Sequence, residues 1–332
     1  MRHRGPALLA VVLLLFVSPV LAHVPVFATD NATPETAYPI TDASKSWSIY
    51  DRLDAGGVVY YELDLDAGDR LRVSVFTPSR TLTPSLVLAS PALDGSAPAP
   101  DRVAIPDGYG HDIVEGTRPD RAEYEPFAPS SFYDTVVVDR EVEAGGRYLL
   151  AVYADEGGGA VGLAVGQEER FTPTEYARVP LDLVRVHLWE GQHPAVVFGP
   201  LAAVLGVGVV LGRSRLPSSR PPSISAALGL AGLLYVGTAA GTALQTLIAV
   251  SRAGVSAGVL VTMVFVLVPL LLGLWLLRRA VASGELTARS RLAALVVGVV
   301  GFATWAGLLV GPALLLAVAI APKTGFGVGS GD

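Results

Sequence analysis

The sequence has no cysteine, and this absence excludes several kinds of chemistry at once. Without thiolates there can be no disulfide, no cysteine-ligated zinc or iron–sulfur centre and no cysteine nucleophile. Lysine is nearly absent too, occurring only at Lys45 and Lys323. Any exported domain must therefore be stabilised by its core alone, and about 150 residues are enough to form one.

Charged residues make up only 16% of the chain, and their distribution is uneven. Residues 23–190 carry 28 acidic against 13 basic side chains, whereas residues 191–332 carry 2 acidic against 9 basic. The acidic half would repel nucleic acid, because binding to the phosphate backbone depends on basic side chains. We therefore expect no nucleic-acid partner and two regions that meet different solvents.

Catalytic signatures are also lacking. The sequence has neither a zinc-protease helix motif nor a phosphate-binding glycine loop, and isolated Ser, His and Asp residues do not define an active site. The sequence therefore predicts a protein that is not an enzyme.

The first 22 residues have the three parts of a secretion signal. Two arginines precede the apolar stretch from Ala7 to Val17, and small residues lead to Ala22. This order predicts a signal peptide over residues 1–22, with cleavage after Ala22 and His23 as the mature N-terminus. The alternative is an uncleaved anchor, which the short apolar run disfavours.

Four later segments are long enough to cross a bilayer, at about 20 residues each. They predict transmembrane helices within residues 194–320 and a tail over residues 321–332. The first and third connections are rich in arginine, whereas the second has only Arg252. Positive connections stay in the cytoplasm, so we expect a multi-pass cell-membrane protein with its N-terminal domain and its C-terminal tail outside. Glycines four residues apart in these helices make an oligomer possible.

The region between signal and helices predicts an all-β extracytoplasmic sandwich over residues 23–170. Short alternating runs are separated by glycine-rich or aspartate-rich turns, as in Tyr60 to Val75, and a late Gly-x-Tyr strand follows at Gly146 to Tyr153. Over residues 45–166 this pattern resembles the bacterial pre-peptidase C-terminal domain. That resemblance implies a small jelly-roll-like sandwich of the kind that accompanies secreted enzymes and binds polymers or aids secretion.

A long insertion, residues 90–131, interrupts this pattern. A connection of this length tends to be functional or disordered. Two interpretations of its aromatic residues are open: they form a recognition surface, or they pack against one open end of the sandwich. The candidate recognition residues in and just after the insertion are Tyr109, Tyr124, Phe127 and Tyr133.

A metal site is the most specific chemical hypothesis. A mature N-terminal His23 would offer its amino group and its imidazole to one ion, and copper suits such nitrogen ligands. His111 is the candidate second ligand, and Tyr124, Asp112 or Glu125 could complete the set. Calcium at Asp64, Asp66 and Asp69 is an alternative that ordinary turn chemistry explains more simply. No other cofactor is indicated.

Residues 171–193 predict a linker and a short helix at the membrane surface, with Trp189 at the level of the lipid headgroups. The sequon Asn31-Ala-Thr33 is a candidate glycosylation site. We therefore expect a membrane-anchored extracytoplasmic binding module whose partner is an envelope polymer, a peptide or a membrane protein. A copper-handling protein is the first alternative, and a subunit of a larger membrane complex is the second.

Overall fold

The computed structural model describes residues 23–95, 98–212, 222–282 and 286–321. The predicted signal peptide and the residues after Ala321 lie outside these ranges. The chain forms two compact units, one built mainly from residues up to Gly191 and one built mainly from the residues that follow. We call them the β unit and the helical unit.

The β unit is a sandwich of two sheets, which confirms the predicted fold class. A six-stranded sheet has the strand order β1-β3-β11-β5-β9-β8, and a five-stranded sheet has the order β2-β4-β10-β6-β7. The strands described are β1 (Val24–Phe27), β2 (Tyr38–Ile40), β3 (Trp47–Leu53), β4 (Val58–Leu65), β5 (Arg70–Thr77), β6 (Ser85–Ser90), β7 (Gly110–Val114), β8 (Glu123–Glu125), β9 (Ser130–Glu141), β10 (Gly146–Tyr153) and β11 (Gly159–Val165).

Alternation of apolar and polar residues places the core between the sheets. In β5, Leu71, Val73 and Val75 are buried in the core, while Arg70 and Arg72 lie on the opposite face. The turn from β4 to β5 uses Gly68 at φ 93°, a left-handed conformation that favours glycine. Most ladders are antiparallel, but β1 and β2 each pair in parallel with the strand beside them, β3 and β4 respectively.

The β unit also contains a helix, α1 (Pro173–Trp189). It begins with a capping box in which Thr172 Oγ1 accepts from the Glu175 backbone N–H at 3.2 Å and Glu175 accepts from the Thr172 N–H at 2.7 Å. Glu175 also accepts from Lys45 Nζ at 2.7 Å. This ion pair joins the helix start to the segment that enters β3.

In the described part of the helical unit, three helices are long and apolar enough to cross a membrane, and a fourth apolar segment is broken. The bounds are α2 (Pro194–Gly212), α3 (Pro222–Ala253), α4 (Gly258–Val281), α5 (Ala288–Ala303) and α6 (Val310–Ile320). The expected fourth span is divided between α5 and α6, whose directions differ by 118°.

Small residues let α3 approach its neighbours. A side-chain carbon added at Gly232 would lie 3.0 Å from the Gly273 carbonyl of α4, so these two backbones are in close contact. Tyr235 of α3 is fully buried against Gly301, Gly307 and Gly311. By contrast, no residue of α2 is buried. Whether the chain forms oligomers stays a prediction.

Candidate functional site

An aromatic cluster covers the outer face of the six-stranded sheet. The ring of Trp189, at the end of α1, lies 4.9 Å from Tyr50, 6.1 Å from Phe76 and 5.9 Å from Phe132, centroid to centroid. Its Nε1 donates to the Asp51 carbonyl at 2.6 Å, and the side chain is 8% exposed. The expected headgroup position for Trp189 is therefore wrong: the indole is in the protein interior, because the sheet offers it both apolar contact and a hydrogen-bond acceptor.

Beside this cluster a cavity of about 200 Å³ contains His23. The imidazole Nδ1 lies 2.6 Å from Ser46 Oγ, and burial holds the pKa of His23 below its ordinary value. A neutral imidazole is the form that binds metals. The hydroxyl-bearing side chains of Ser48, Tyr50 and Ser74 also line the cavity. Its other polar side chains are Glu123, Tyr124, Glu125 and Asp134.

Two carboxyl groups in the His23 cavity have raised pKa values. Burial raises the pKa of Glu125 to about 7, although its carboxylate accepts from the Phe127 backbone N–H at 2.8 Å. Burial and the nearby charge of Glu123 raise the pKa of Asp134 to about 6. The cavity therefore joins an imidazole to two carboxyls that change charge near neutral pH.

His111 is not part of this cavity. It lies in β7, the edge strand of the other sheet, opposite Ala89 of β6. Its neighbour Asp112 pairs with Arg140 at 2.7 Å. Within the described ranges no three His, Asp or Glu side chains form a group suited to a metal ion. The predicted ligand His23 thus directly precedes β1 of the six-stranded sheet, whereas His111 lies in the five-stranded sheet, and a shared copper site would need ligands from outside this pair.

The four predicted recognition residues do not form one surface. Tyr124 lines the His23 cavity, whereas Tyr109 packs on the outer side of the five-stranded sheet. Phe127 and Tyr133 are buried; Phe127 lies 6.2 Å from Phe171, and the Arg118 guanidinium lies 4.7 Å from the Tyr133 ring. This arrangement agrees better with the packing interpretation than with a shared recognition surface.

A cleft of about 880 Å³ lies beside the C-terminal end of α1. We call it the Arg52 cleft. Its walls come from α1, the segment after β1 and the turn from β3 to β4. Phe27 and Trp189 supply aromatic surface, and the charged lining consists of Arg52, Arg102, Arg185, Asp30, Asp51 and Asp54.

The charges of the Arg52 cleft differ in how strongly they are held. Arg185 pairs with Asp182 at 3.3 Å and stacks over Phe27 at 3.8 Å. Arg102 donates to the carbonyl oxygens of residues 154 and 155. Arg52 and Asp54 are exposed at the rim. The cleft therefore presents both signs of charge beside apolar surface.

A buried hydrogen-bond network forms the floor of the Arg52 cleft. The Asp51 carboxylate accepts from Asn31 Nδ2 at 3.0 Å and from the Tyr61 hydroxyl at 2.9 Å, and burial nevertheless raises its pKa. Asn31 also donates to the Tyr60 carbonyl and is 3% exposed. The expectation that Asn31 is an accessible glycosylation site is therefore wrong for the folded protein, because its side-chain amide is buried and donates both of these hydrogen bonds.

The aspartates considered for calcium take part in turn structure. Asp69 accepts from the Asp66 backbone N–H at 2.8 Å, and Asp64 and Asp69 line a separate cavity of about 550 Å³ together with Arg70 and Arg72. Two guanidinium groups beside these carboxylates do not favour a cation. The turn explanation is the simpler one.

One serine lies in a Gly-x-Ser-x-Gly pattern, Gly254 to Gly258, which connects α3 to α4. A nucleophile elbow lies between a strand and a helix. Here a helix precedes the serine, so the pattern does not indicate a hydrolase.

The sequence reasoning missed the Arg52 cleft. Its signal was present in α1, where Arg185, Leu188 and Trp189 share one side of the helix at spacings of three and four. The same pattern also predicts a helix at the membrane surface. To favour a helix that covers a sheet instead, one would need to know which strand faces are apolar.

Comparison with known proteins finds a likeness among solved structures alone. No family model and no curated protein matches this chain. Among solved structures, the chain is similar to the pre-peptidase C-terminal domain of a collagenase from Bacillus anthracis, with 18% sequence identity and a TM-score of 0.25. The match covers 40% of this chain and 97% of that one. The likeness concerns a β-sandwich domain and assigns no function to this protein.

Proposed function

We propose that this protein is a membrane-anchored extracytoplasmic binding module, without a reaction of its own, and that its β unit holds a partner in the Arg52 cleft. The observation that carries the proposal is the cleft itself. Its volume of about 880 Å³ lies within the usual range of ligand sites, and it combines aromatic surface with a few polar groups. It is also much larger than the His23 cavity.

The lining favours a peptide segment as the occupant. A polyanionic polymer would meet Asp30 and Asp54, and a polycation would meet the arginines. A polypeptide carries both signs of charge as well as apolar side chains, and aromatic and arginine side chains are the groups that dominate protein interfaces. We therefore propose an extended segment of another envelope protein as the partner, with an envelope polymer as the alternative.

The proposal includes the side of the membrane. The signal over residues 1–22 would export the β unit. The arginines of the first and third connections between helices would keep those connections in the cytoplasm.

In-cell photocrosslinking tests the cleft. The full-length protein carries a benzophenone amino acid at position 52, and a matched variant carries it at Arg80, which is also an exposed arginine but does not line the cleft. We expect a discrete crosslinked species from position 52 only. Combining the probe at 52 with Asp54→Lys, which reverses one rim charge, should weaken that species.

Two results would count against the cleft. Equal crosslinking from positions 52 and 80 would show non-specific contact, and no crosslinking at 52 would show that nothing occupies this part of the cleft. A species that persists unchanged with Asp54→Lys would argue that the rim charges do not select the partner.

A copper-handling role is the second candidate, and the His23 cavity favours it. A cleaved N-terminus would place an amino group and an imidazole beside Tyr124, Glu125 and Asp134. This set differs from the predicted pair, since it does not include His111. The third hypothesis, a subunit of a larger membrane complex, stays a prediction.

Copper titration of the purified full-length protein, followed by electron paramagnetic resonance, tests this role. The matched variant has one residue inserted after Ala22, so that processing leaves His23 in second position. Binding of one copper ion that the insertion abolishes and His111→Ala leaves intact would support the cavity as the site. Binding that is indifferent to the insertion would remove the hypothesis.

A further inference from the structure

Neither helix of the last apolar segment is long enough to cross a bilayer. At 1.5 Å per residue, α5 with 16 residues spans about 24 Å and α6 with 11 residues about 16 Å. The hydrocarbon core is about 30 Å thick. A single span would have to continue through the break between the two helices in one direction, and the chain instead turns by 118°.

Contacts along α5 and α6 have the register of an antiparallel hairpin. A side-chain carbon added at Gly301 would lie 3.0 Å from Pro312, and one added at Gly298 would lie 3.4 Å from Leu315. Nearer the start of α5, the Arg291 guanidinium donates to the carbonyls of Ala319 and Ala321. As the position moves back along α5, its partner moves forward along α6. The start of α5 therefore lies beside the end of α6.

The tip of the hairpin is irregular backbone that the helical unit partly buries. Trp305, Leu308 and Leu309 have φ values of 47°, 55° and 63°, which lie in the left-handed region that residues other than glycine rarely adopt. Irregular backbone is tolerated at membrane depth only where protein satisfies its polar groups. Here the Gly307 N–H donates to Thr238 Oγ1 of α3 at 3.0 Å.

Aromatic packing holds this tip in place. The Trp305 ring stacks on Phe265 of α4 with centroids 5.9 Å apart. The Tyr235 side chain lies against Gly307 and Gly311, and its hydroxyl donates to the Val297 carbonyl of α5 at 3.2 Å. Helices α3 and α4 thus both contribute to burying the reversal.

We infer that α5 and α6 form a re-entrant hairpin, so that the chain crosses the membrane three times and the residues after Ala321 emerge on the same side as the connection before Ala288. This reverses the side expected for the C-terminal tail. It also groups Lys323 with Arg278, Arg279, Arg289 and Arg291, in agreement with the positive-inside rule. The inference rests on the helices lying in a bilayer and does not depend on the binding role of the β unit.

The natural absence of cysteine makes this testable without removing any native thiol. Three single-cysteine variants are made in the full-length protein: Ser330→Cys after the hairpin, Ser218→Cys in the connection between α2 and α3, and Val137→Cys, which is 70% exposed on the β unit. The first two are matched, since each replaces a serine hydroxyl by a thiol. Spheroplasts are treated with a membrane-impermeant maleimide before and after permeabilisation.

We expect Ser330→Cys to behave like Ser218→Cys, with labelling that rises at least tenfold on permeabilisation, while Val137→Cys is labelled in both cases. Labelling of Ser330→Cys without permeabilisation, together with protection of Ser218→Cys, would overturn the hairpin. If Val137→Cys were protected and both other sites labelled, the proposed export of the β unit would fail and the hairpin would stand, because only the relative side of positions 218 and 330 tests it.

Discussion

Replacing Trp189 should destabilise the β unit strongly, although the residue lies outside both sheets. The Trp189→Ala change removes a ring that contacts Tyr50, Phe76 and Phe132 and a hydrogen bond to the Asp51 carbonyl. Loss of a buried large aromatic side chain costs about 3–5 kcal/mol. Trp189→Phe keeps most of the ring contact and leaves the carbonyl without its donor, which costs about 1–3 kcal/mol.

Pulse proteolysis of the full-length protein in detergent, over a urea series, measures this effect without relying on tryptophan fluorescence. With an m-value of about 2 kcal/mol/M, a loss of about 4 kcal/mol lowers the midpoint of the β unit by about 2 M. Trp47→Phe is the matched control. Its Nε1 donates to the Asp42 carbonyl at 2.9 Å, but the ring is only half-buried, so its change should be smaller than that of Trp189→Phe.

The ranking of these variants decides the argument. A Trp189→Ala midpoint equal to that of the unchanged protein would mean that α1 does not stabilise the sandwich, and the sequence-based placement of Trp189 at lipid headgroups would regain its support. A Trp47→Phe effect larger than that of Trp189→Phe would show that the Asp51 hydrogen bond is not significant.

Three further predictions concern the pH dependence, the cleft floor and the hairpin. The folded-state pKa of Glu125, at about 7, lies above the usual value near 4.5, so the unfolding free energy should fall as pH rises from 5 to 8. Urea titrations at these two pH values measure the fall, and Glu125→Gln should reduce it. An equal fall in the variant would contradict the raised pKa of Glu125. Asn31→Ala should lower the unfolding free energy by about 1–3 kcal/mol, because it removes the amide that donates to the buried Asp51 carboxylate beside the Tyr61 hydroxyl. Urea unfolding followed by circular dichroism measures the change, and no loss would mean that water replaces the amide. Gly301→Ala should lower the thermal midpoint of the helical unit by several degrees, because the added carbon would meet the Tyr235 hydroxyl. The control Gly212→Ala has open space around the added carbon and should leave the midpoint unchanged. Equal midpoints for the two variants would refute the close contact between Gly301 and Tyr235.

The central strands were predictable because their alternation is local. The alternating run from Tyr60 to Val75 coincides with most of β4, the turn after it and most of β5, and the late strand predicted from Gly146 to Tyr153 coincides with β10. Four short strands were missed. β1 and β2 contain Pro25 and Pro39, which suit edge strands and weaken the strand pattern. β7 and β8 lie in the insertion, which was interpreted as loop.

Sites that depend on distant pairings could not be read from the sequence. The sequence offers His23 and His111 as two imidazoles for one metal ion, but His23 precedes β1 of the six-stranded sheet and His111 lies in β7 of the other sheet. The apolar run from residue 292 to 320 likewise predicts a span, since hydropathy measures composition and does not reveal a reversal of direction. The residues at the reversal, Gly307 among them, contact Thr238 and Tyr235, which lie about 70 positions earlier in the chain.

The strand order of the six-stranded sheet determines when, during translation, the sheet can be completed. β3 lies between β1 and β11, and β11 joins β3 to β5, so this sheet stays in two pieces until Val165 has left the ribosome. Trp189 must then also be synthesised before its indole can donate a hydrogen bond to the Asp51 carbonyl, 138 positions earlier in the chain. Contacts of such long sequence separation make folding slow. During biogenesis the β unit would thus remain open to chaperones and proteases until its own membrane helices begin to emerge, which ties the completion of one unit to the start of the other.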